Sequence, residues 1–135
     1  MDNAVYNEES VAVNTGNHSE VCRYCAFFFG IVKDIDDPKF AYLKDLIFGV
    51  FGPDRQAKGE MPEIEYANAL MGIYIRMEPL YNWGRYEKLL EEIKLLFGKM
   101  ADLTGTLWEH NGVCASLNHG FASFAGVMIA KCLKK

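Results

Sequence analysis

The amino-acid sequence predicts an all-α fold in which about five antiparallel helices form part of a toroid of helical hairpins. Five segments carry apolar residues at the 3.6-residue period of an α-helix. Three of these segments contain stretches without any charged residue, at 24–32, 67–75 and 120–130. Helices that are apolar on every side must be covered on every side, so these three are predicted to be inner helices. They alternate along the chain with two amphipathic outer helices, and short connections make neighbours antiparallel.

The first two predicted helices have recognisable N-terminal signals. The first spans about 18–32, where Asn17 followed by Glu20 predicts a capping pair. The second spans about 38–51 and starts with Pro38, a residue suited to the first turn of a helix. Residues 1–16 are predicted to be an irregular lead, with a short strand at 11–13 as the alternative, and 17–135 to be the helical fragment of a barrel.

The remaining three predicted helices span about 64–82, 84–101 and 119–133. Pro79 lies near the end of the first of these and is expected to kink or close it. The middle one is the most regular amphipathic segment, with apolar residues at 86, 89, 90, 93, 96, 97 and 100. Its charged residues predict a solvated outer face.

Composition limits the possible partners. The chain has 135 residues, enough for one domain with a core. Its net charge is 14 − 18 = −4, which argues against nucleic acid or an anionic membrane as the main partner. No apolar run reaches the ~18 residues needed to cross a bilayer, and the N-terminus lacks the features of a secretion signal. We therefore expect a cytoplasmic chain as given, while a longer parent could be exported.

Four cysteines raise the question of metal or redox chemistry. Cys22 and Cys25 form a CxxC, and Cys114 and Cys132 stand alone. The CxxC lies inside a predicted helix with no strand before it, and no second ligand pair completes a zinc site. Buried free thiols are the favoured interpretation, with redox or metal binding as the alternative. No metal and no cofactor are predicted.

A polar segment, GTLWEHNGVCASLNHGFASF at 105–124, interrupts this helical pattern. In a ring with alternating inner and outer helices, every outer-to-inner connection lies on the same face. Three segments are such connections, at 15–20, 52–68 and 104–119, so they are predicted to converge at the N-termini of three inner helices. Helix N-termini have unpaired N–H donors that suit oxygen-rich ligands, and the loop is therefore predicted to border a binding site.

Three stretches resemble a known family. GNHSEVCRYCAFFFGI, MPEIEYANALMGIYIRMEPL and LTGTLWEHNGVCASLNHGFASFAG resemble, in this order, the C-terminal part of the catalytic domain of bacterial α-L-rhamnosidases. The resemblance covers roughly residues 2–131. It implies a six-hairpin (α/α)6 barrel, inverting glycoside hydrolysis and a rhamnose-containing substrate. A complete barrel has twelve helices and an upstream glutamate as general acid, and nothing here matches that acidic motif. We therefore expect a piece of a barrel that is inactive alone.

The resemblance also implies roles for individual residues. It makes Glu109 the general base, while the sequence alone also allows a surface glutamate. Trp108 is a candidate platform for the apolar face of a sugar, with core packing as the alternative.

Further candidates flank these two residues. His119 and Asn118 begin the last inner helix, where they would bind a sugar hydroxyl, orient Glu109 or form a cap network with Ser116. His110 is a site candidate or a solvated side chain. His18 and Glu20 open the first inner helix, and Glu20 is either a second carboxylate near the sugar or a capping-box partner.

Two other interpretations remain open: a non-catalytic helical module for sugar binding or assembly, and a fragment of a different six-hairpin glycosidase. A fragment of a ring also has open edges. Six apolar side chains on the first and last inner helices are predicted not to be all buried within one chain: Phe27, Phe28, Phe29, Phe121, Phe124 and Met128. Self-association is then expected, most simply as a two-fold dimer.

Overall fold

The structure, a computed structural model, describes residues 19–112 and 115–135. These residues are helical and contain no strand beyond two isolated bridges, so the all-α prediction is confirmed for them. The short strand considered at 11–13 lies outside the described residues. Six helices follow one another: α1 (Glu20–Phe28), α2 (Pro38–Phe40, Ala41–Asp45 and Leu46–Val50 in succession), α3 (Arg55–Lys58), α4 (Leu70–Asn82), α5 (Tyr86–Ile93, Lys94–Gly98 and Lys99–Thr104) and α6 (Gly120–Ser123 and Phe124–Cys132).

The chain divides into two compact units, Met1–Ala67 and Asn68–Lys135. Helices α1 to α3 belong to the first unit and α4 to α6 to the second. The arrangement of these helices in a ring of hairpins remains a prediction.

Helix α1 is shorter than predicted because Gly30 ends it. Gly30 has a left-handed φ of 72°, which glycine adopts without a Cβ penalty. The Ile31 N–H then turns back to the Ala26 carbonyl at 2.9 Å, as in a Schellman C-cap. At the other end Ser19 is the N-cap, and its Oγ accepts from the Val21 N–H at 3.2 Å. The N-cap is therefore Ser19, and Asn17, the predicted partner of Glu20 in a capping pair, lies outside the described residues.

Helices α2 and α5 follow the predicted spans closely. Pro38 lies in the first turn of α2, and the Asp37 side chain caps that turn by accepting from the Lys39 N–H at 3.1 Å. Both helices contain a wider π-helical turn, at Leu46–Val50 and Lys94–Gly98. These turns follow from backbone geometry that the apolar period does not encode.

Helix α4 starts later than predicted, at Leu70, because the carbonyls of Glu65 and Asn68 hydrogen-bond to other segments instead of to their own turn. The Glu65 carbonyl accepts from the Glu20 N–H at 3.0 Å, and the Asn68 carbonyl accepts from the Asn111 N–H at 2.7 Å. The helix continues through Pro79 to Asn82.

A bidentate ion pair joins α4 to α5. The Arg76 Nε and Nη2 donate to the two carboxylate oxygens of Glu92 at 2.6 and 2.7 Å, and Arg76 is buried. Such a planar pair fixes the relative orientation of the two helices as well as contributing energy.

Helix α6 is not covered on all sides within one chain, because Val127 on that helix is exposed. The prediction that the six apolar side chains are not all buried within one chain is confirmed. Phe29 and Phe121 are exposed, whereas Phe27 and Met128 are buried and Phe28 and Phe124 are half-buried.

Candidate functional site

The polar loop between α5 and α6 is held as a narrow backbone ribbon. The Glu109 N–H donates to the Ser116 carbonyl at 2.9 Å, and the His119 N–H donates to the Leu107 carbonyl at 2.8 Å. The Thr106 hydroxyl also donates to the Leu117 carbonyl, which links the same two arms of the loop. Cross-connections of this kind fix the two arms relative to each other. Glu109 and His119, ten positions apart in sequence, therefore lie on the same ribbon.

The ribbon is attached to the N-terminus of α4. The Leu70 N–H donates to the Glu109 carbonyl at 3.0 Å, and the Ala69 and His110 backbones form an antiparallel bridge. Ala69 is the N-cap of α4 and has no side-chain cap. The loop carbonyl therefore satisfies one of the first-turn N–H groups that have no acceptor within the helix. This places the Glu109 backbone directly at a helix N-terminus.

The Glu109 side chain is half-buried, and its carboxylate faces the Ser116 N–H at 3.4 Å. A carboxylate that keeps one oxygen lightly engaged and part of its surface exposed can accept a hydrogen bond from a water molecule. This is the minimum requirement for a general base.

His119 occupies the N-cap position of α6 and is half-buried. Its Nδ1 atom is inaccessible to solvent and has no hydrogen-bond partner among the described residues. Buried ring nitrogens are normally paired, so this atom is available to a ligand group or to a neighbouring side chain after a small rotation. The cap network considered in the sequence does not form, because no side chain caps this helix.

Asn118 is exposed, and its main chain forms a local turn with Ser116. The Asn118 N–H lies 3.3 Å from the Ser116 hydroxyl, which donates to the Asn118 carbonyl at 3.1 Å. His110 is half-buried and linked through its backbone to Ala69. His18 lies outside the described residues.

Trp108 does not present a ring face for stacking. Its side chain is only 2% exposed, and its indole N–H donates to the Thr104 hydroxyl at 2.7 Å. Its backbone N–H is directed to the Met100 sulfur at 3.4 Å. A sugar platform needs one open ring face, so the structure corrects this prediction in favour of the core alternative.

The exposed aromatic ring of this region is Phe121, two residues after His119. It is 44% exposed and packs against Tyr74 and Phe124, with ring centroids 5.8 and 5.3 Å apart. Sequence reasoning treated Phe121 as an edge residue of the barrel and missed it as a possible ligand contact. The signal available was its place two positions after the polar loop.

Glu20 is not available to a sugar, and this prediction is also corrected. The side chain is 2% exposed, and its Oε1 accepts from the Arg55 Nε at 2.5 Å. Its Oε2 accepts from the Tyr24 hydroxyl at 2.5 Å and lies 3.4 Å from the Ala67 N–H. With both oxygens engaged inside the first unit, Glu20 is neither a ligand group nor a capping-box partner.

Arg55 is the residue that organises the loop between α2 and α4. It is fully buried and donates from Nη1 to the Glu60 and Met61 carbonyls at 2.9 and 2.6 Å, and from Nη2 to the Ile64 carbonyl at 2.8 Å. Its guanidinium also lies over the Tyr66 ring at 4.0 Å. No local sequence pattern indicates this role, because a single arginine in a polar loop normally faces solvent.

Cys22, Cys25 and Cys132 are free thiols, as predicted, although Cys22 and Cys25 are only half-buried. Burial raises the pKa of the Cys25 thiol, and the neighbouring Cys22 raises it further. Burial likewise raises the pKa of Cys132. Thiols with a raised pKa are poor nucleophiles near neutral pH.

No helix within 19–112 and 115–135 combines the length and the apolar character needed to cross a membrane. Comparisons of the chain with protein-family models, with curated proteins and with solved structures found no match.

Proposed function

We propose that this chain provides the general base, Glu109, of an α-L-rhamnosidase-like glycoside hydrolase that acts with inversion. Two lines of support combine. The sequence around Glu109 and His119 resembles the corresponding segment of bacterial α-L-rhamnosidases. The observation that carries the proposal is the ribbon that fixes the half-buried Glu109 at the N-terminus of α4, with His119 on its other arm.

In this proposal Glu109 removes a proton from a water molecule, which attacks the anomeric carbon from the face opposite the leaving group. Inverting enzymes place the acid and the base about 6.5–9.5 Å apart to leave room for that water. The general acid is expected from a motif that this chain does not contain, so the chain alone binds sugar without turning it over. Glu109 then contributes to catalysis only within a longer or assembled enzyme.

The sugar contacts follow from the groups that are free to make them. The Nδ1 of His119 is buried and unpaired among the described residues, and a rotation of the ring would offer it to a sugar hydroxyl. Phe121 replaces Trp108 as the apolar platform, because its ring is exposed and is held edge-on by Tyr74. Asn118, which is exposed and directly precedes His119, supplies a further polar side chain.

A second candidate function is a non-catalytic sugar-binding or assembly module. One observation favours it: of the two carboxylates predicted near the sugar, Glu20 is fully engaged by Arg55 and Tyr24. A single remaining carboxylate suffices for binding but does not complete the inverting mechanism.

Binding and catalysis can be tested separately. Titration of the isotopically labelled chain with L-rhamnose should shift the resonances of His119 and Phe121, whereas an equal concentration of D-glucose should not. Phe121→Ala should remove most of the L-rhamnose response, and Leu133→Ala, a distant exposed change, should leave it intact. No response to L-rhamnose at 100-fold the protein concentration would reject the sugar site altogether.

Turnover is tested with an aryl α-L-rhamnoside. The chain alone should show none, and in a longer parent that carries the acid Glu109→Gln should lower turnover by about 10²–10⁴ with little change in affinity. If the chain binds L-rhamnose but Glu109→Gln does not change the turnover of an active longer parent, the non-catalytic module is the favoured function.

A further inference from the structure

Helix α5 exposes an apolar stripe on the side that the sequence predicts to be solvated. Leu95 is 52% exposed and Leu103 is 63% exposed. A shallow groove runs along this side of the helix, lined by Glu91, Lys94, Leu95, Gly98, Lys99, Asp102 and Leu103. Steps of three and four positions put these residues on one helical face, so the groove follows the helix axis.

Gly98 lines this groove and has no side chain to fill it. A methyl group added there would meet the Cγ atom of Lys94 at 3.9 Å, which is an ordinary contact. Glycine in a helix interior weakens the helix relative to alanine. The missing side chain leaves room for a second backbone to approach closely.

The charges around Gly98 are arranged symmetrically. Lys94 lies four positions before it and Asp102 four positions after it. Neither residue has an ion-pair partner within the part of the chain that the structure describes. A two-fold axis through Gly98, perpendicular to the helix, therefore brings the lysine of one copy opposite the aspartate of another.

We propose that α5 is a homodimer interface, in which the same helix of a second copy crosses it antiparallel with the two-fold axis at Gly98. Each Lys94 then pairs with Asp102 of the second copy, and each Leu95 packs beside Leu103 of the second copy. The groove at Gly98 accommodates the crossing. This surface is distinct from the open barrel edges predicted from the sequence, and the proposal does not depend on the sugar site.

A second copy fits this stripe because the pattern is complementary to itself. One exposed leucine lies on each side of Gly98, with Lys94 four positions before it and Asp102 four positions after it, and closed two-fold dimers are the commonest assemblies. The interface is small, below the roughly 1,200 Å² that separates weak from standard complexes. We therefore expect a dimer that forms in the range of tens to hundreds of micromolar. Lys99 lies next to the axis, so the two copies bring like charges together there.

Sedimentation equilibrium of the whole chain over this concentration range tests the proposal. Lys94→Asp and Asp102→Lys should each weaken the dimer by about tenfold or more, because each places like charges opposite one another. An equimolar mixture of the two variants should associate again, since the mixed dimer has opposite charges at both positions. Lys99→Gln should tighten the dimer, because it removes the repulsion at the axis.

Two further variants separate association from folding. Gly98→Ala should stabilise the monomer, through higher helix propensity, and still weaken the dimer by filling the groove. Leu95→Asp should abolish association, while Leu133→Asp, an equally polar change at an exposed leucine outside the stripe, should not. Three results would each overturn the proposal. The wild-type chain stays monomeric, Leu95→Asp does not weaken the dimer, or the mixture of Lys94→Asp and Asp102→Lys associates no more strongly than either variant alone.

Discussion

Replacing Glu20 by Gln should destabilise the first unit severely, although the two side chains have the same shape. The Arg55 guanidinium is fully buried, and Glu20 is its carboxylate partner at 2.5 Å. Removing one partner of a buried ion pair costs about 3–5 kcal/mol, because the other charge stays in a low-dielectric site without compensation. A unit of this length is expected to have an unfolding free energy of only about 3–10 kcal/mol.

The loss of stability in Glu20→Gln should be measurable in the segment whose carbonyl groups bind Arg55. Its three carbonyl contacts lie between Glu60 and Ile64, and local backbone bonds such as Ile64 N–H to Met61 carbonyl at 3.0 Å depend on that geometry. Hydrogen exchange measured by mass spectrometry should therefore accelerate across 55–67 in Glu20→Gln. Urea denaturation followed by circular dichroism should show the corresponding fall in the unfolding free energy.

The matched control is Glu63→Gln, because Glu63 is an exposed glutamate in the same loop. It should leave exchange and stability unchanged, as most surface substitutions fall within about 0.5 kcal/mol of the parent. If Glu20→Gln changed the unfolding free energy and the hydrogen exchange as little as this control does, the buried pair would not organise the first unit and the reasoning would be wrong.

Two further predictions concern other buried groups. Trp108→Ala should lower the free energy of unfolding by about 3–5 kcal/mol, because it leaves a cavity at a buried site. Trp108→Phe should lower it less and leave L-rhamnose binding unchanged. Loss of the L-rhamnose response in Trp108→Phe would show that the Trp108 ring does contact the sugar. Cys25 should react with iodoacetamide at pH 8 more slowly in the folded chain than in urea, because its pKa is raised by burial and by Cys22. Equal alkylation rates in the folded and unfolded chains would contradict this prediction. The raised pKa also means that folding favours the protonated thiol, so Cys25 should contribute to stability at neutral pH. That contribution should decline as the pH rises above the ordinary thiol pKa of about 8.5.

The sequence alone determined the helical class and most helix positions. Helix α5 follows from its apolar period, and the start of α2 follows from Asp37 and Pro38. These features depend on residues three or four positions apart, so local pattern is sufficient to predict them. The end of α1 at Gly30 is also a local feature, because glycine is a common C-cap residue. The predicted span of 18–32 extended past this signal.

Tertiary structure decided which polar and aromatic side chains are buried. Glu20 and Arg55 are 35 positions apart, and no local pattern indicates that they meet. The burial of Trp108 depends on Met100 and Thr104, and the exposure of Leu95 depends on which side of α5 the rest of the unit covers. Side-chain burial is set by how the segments of the chain pack against one another, and an apolar residue type indicates only a preference for burial. The sequence therefore predicted which loop is the candidate site, the one that carries Glu109 and His119. The fold determined which side chains near these two residues remain free to bind a ligand.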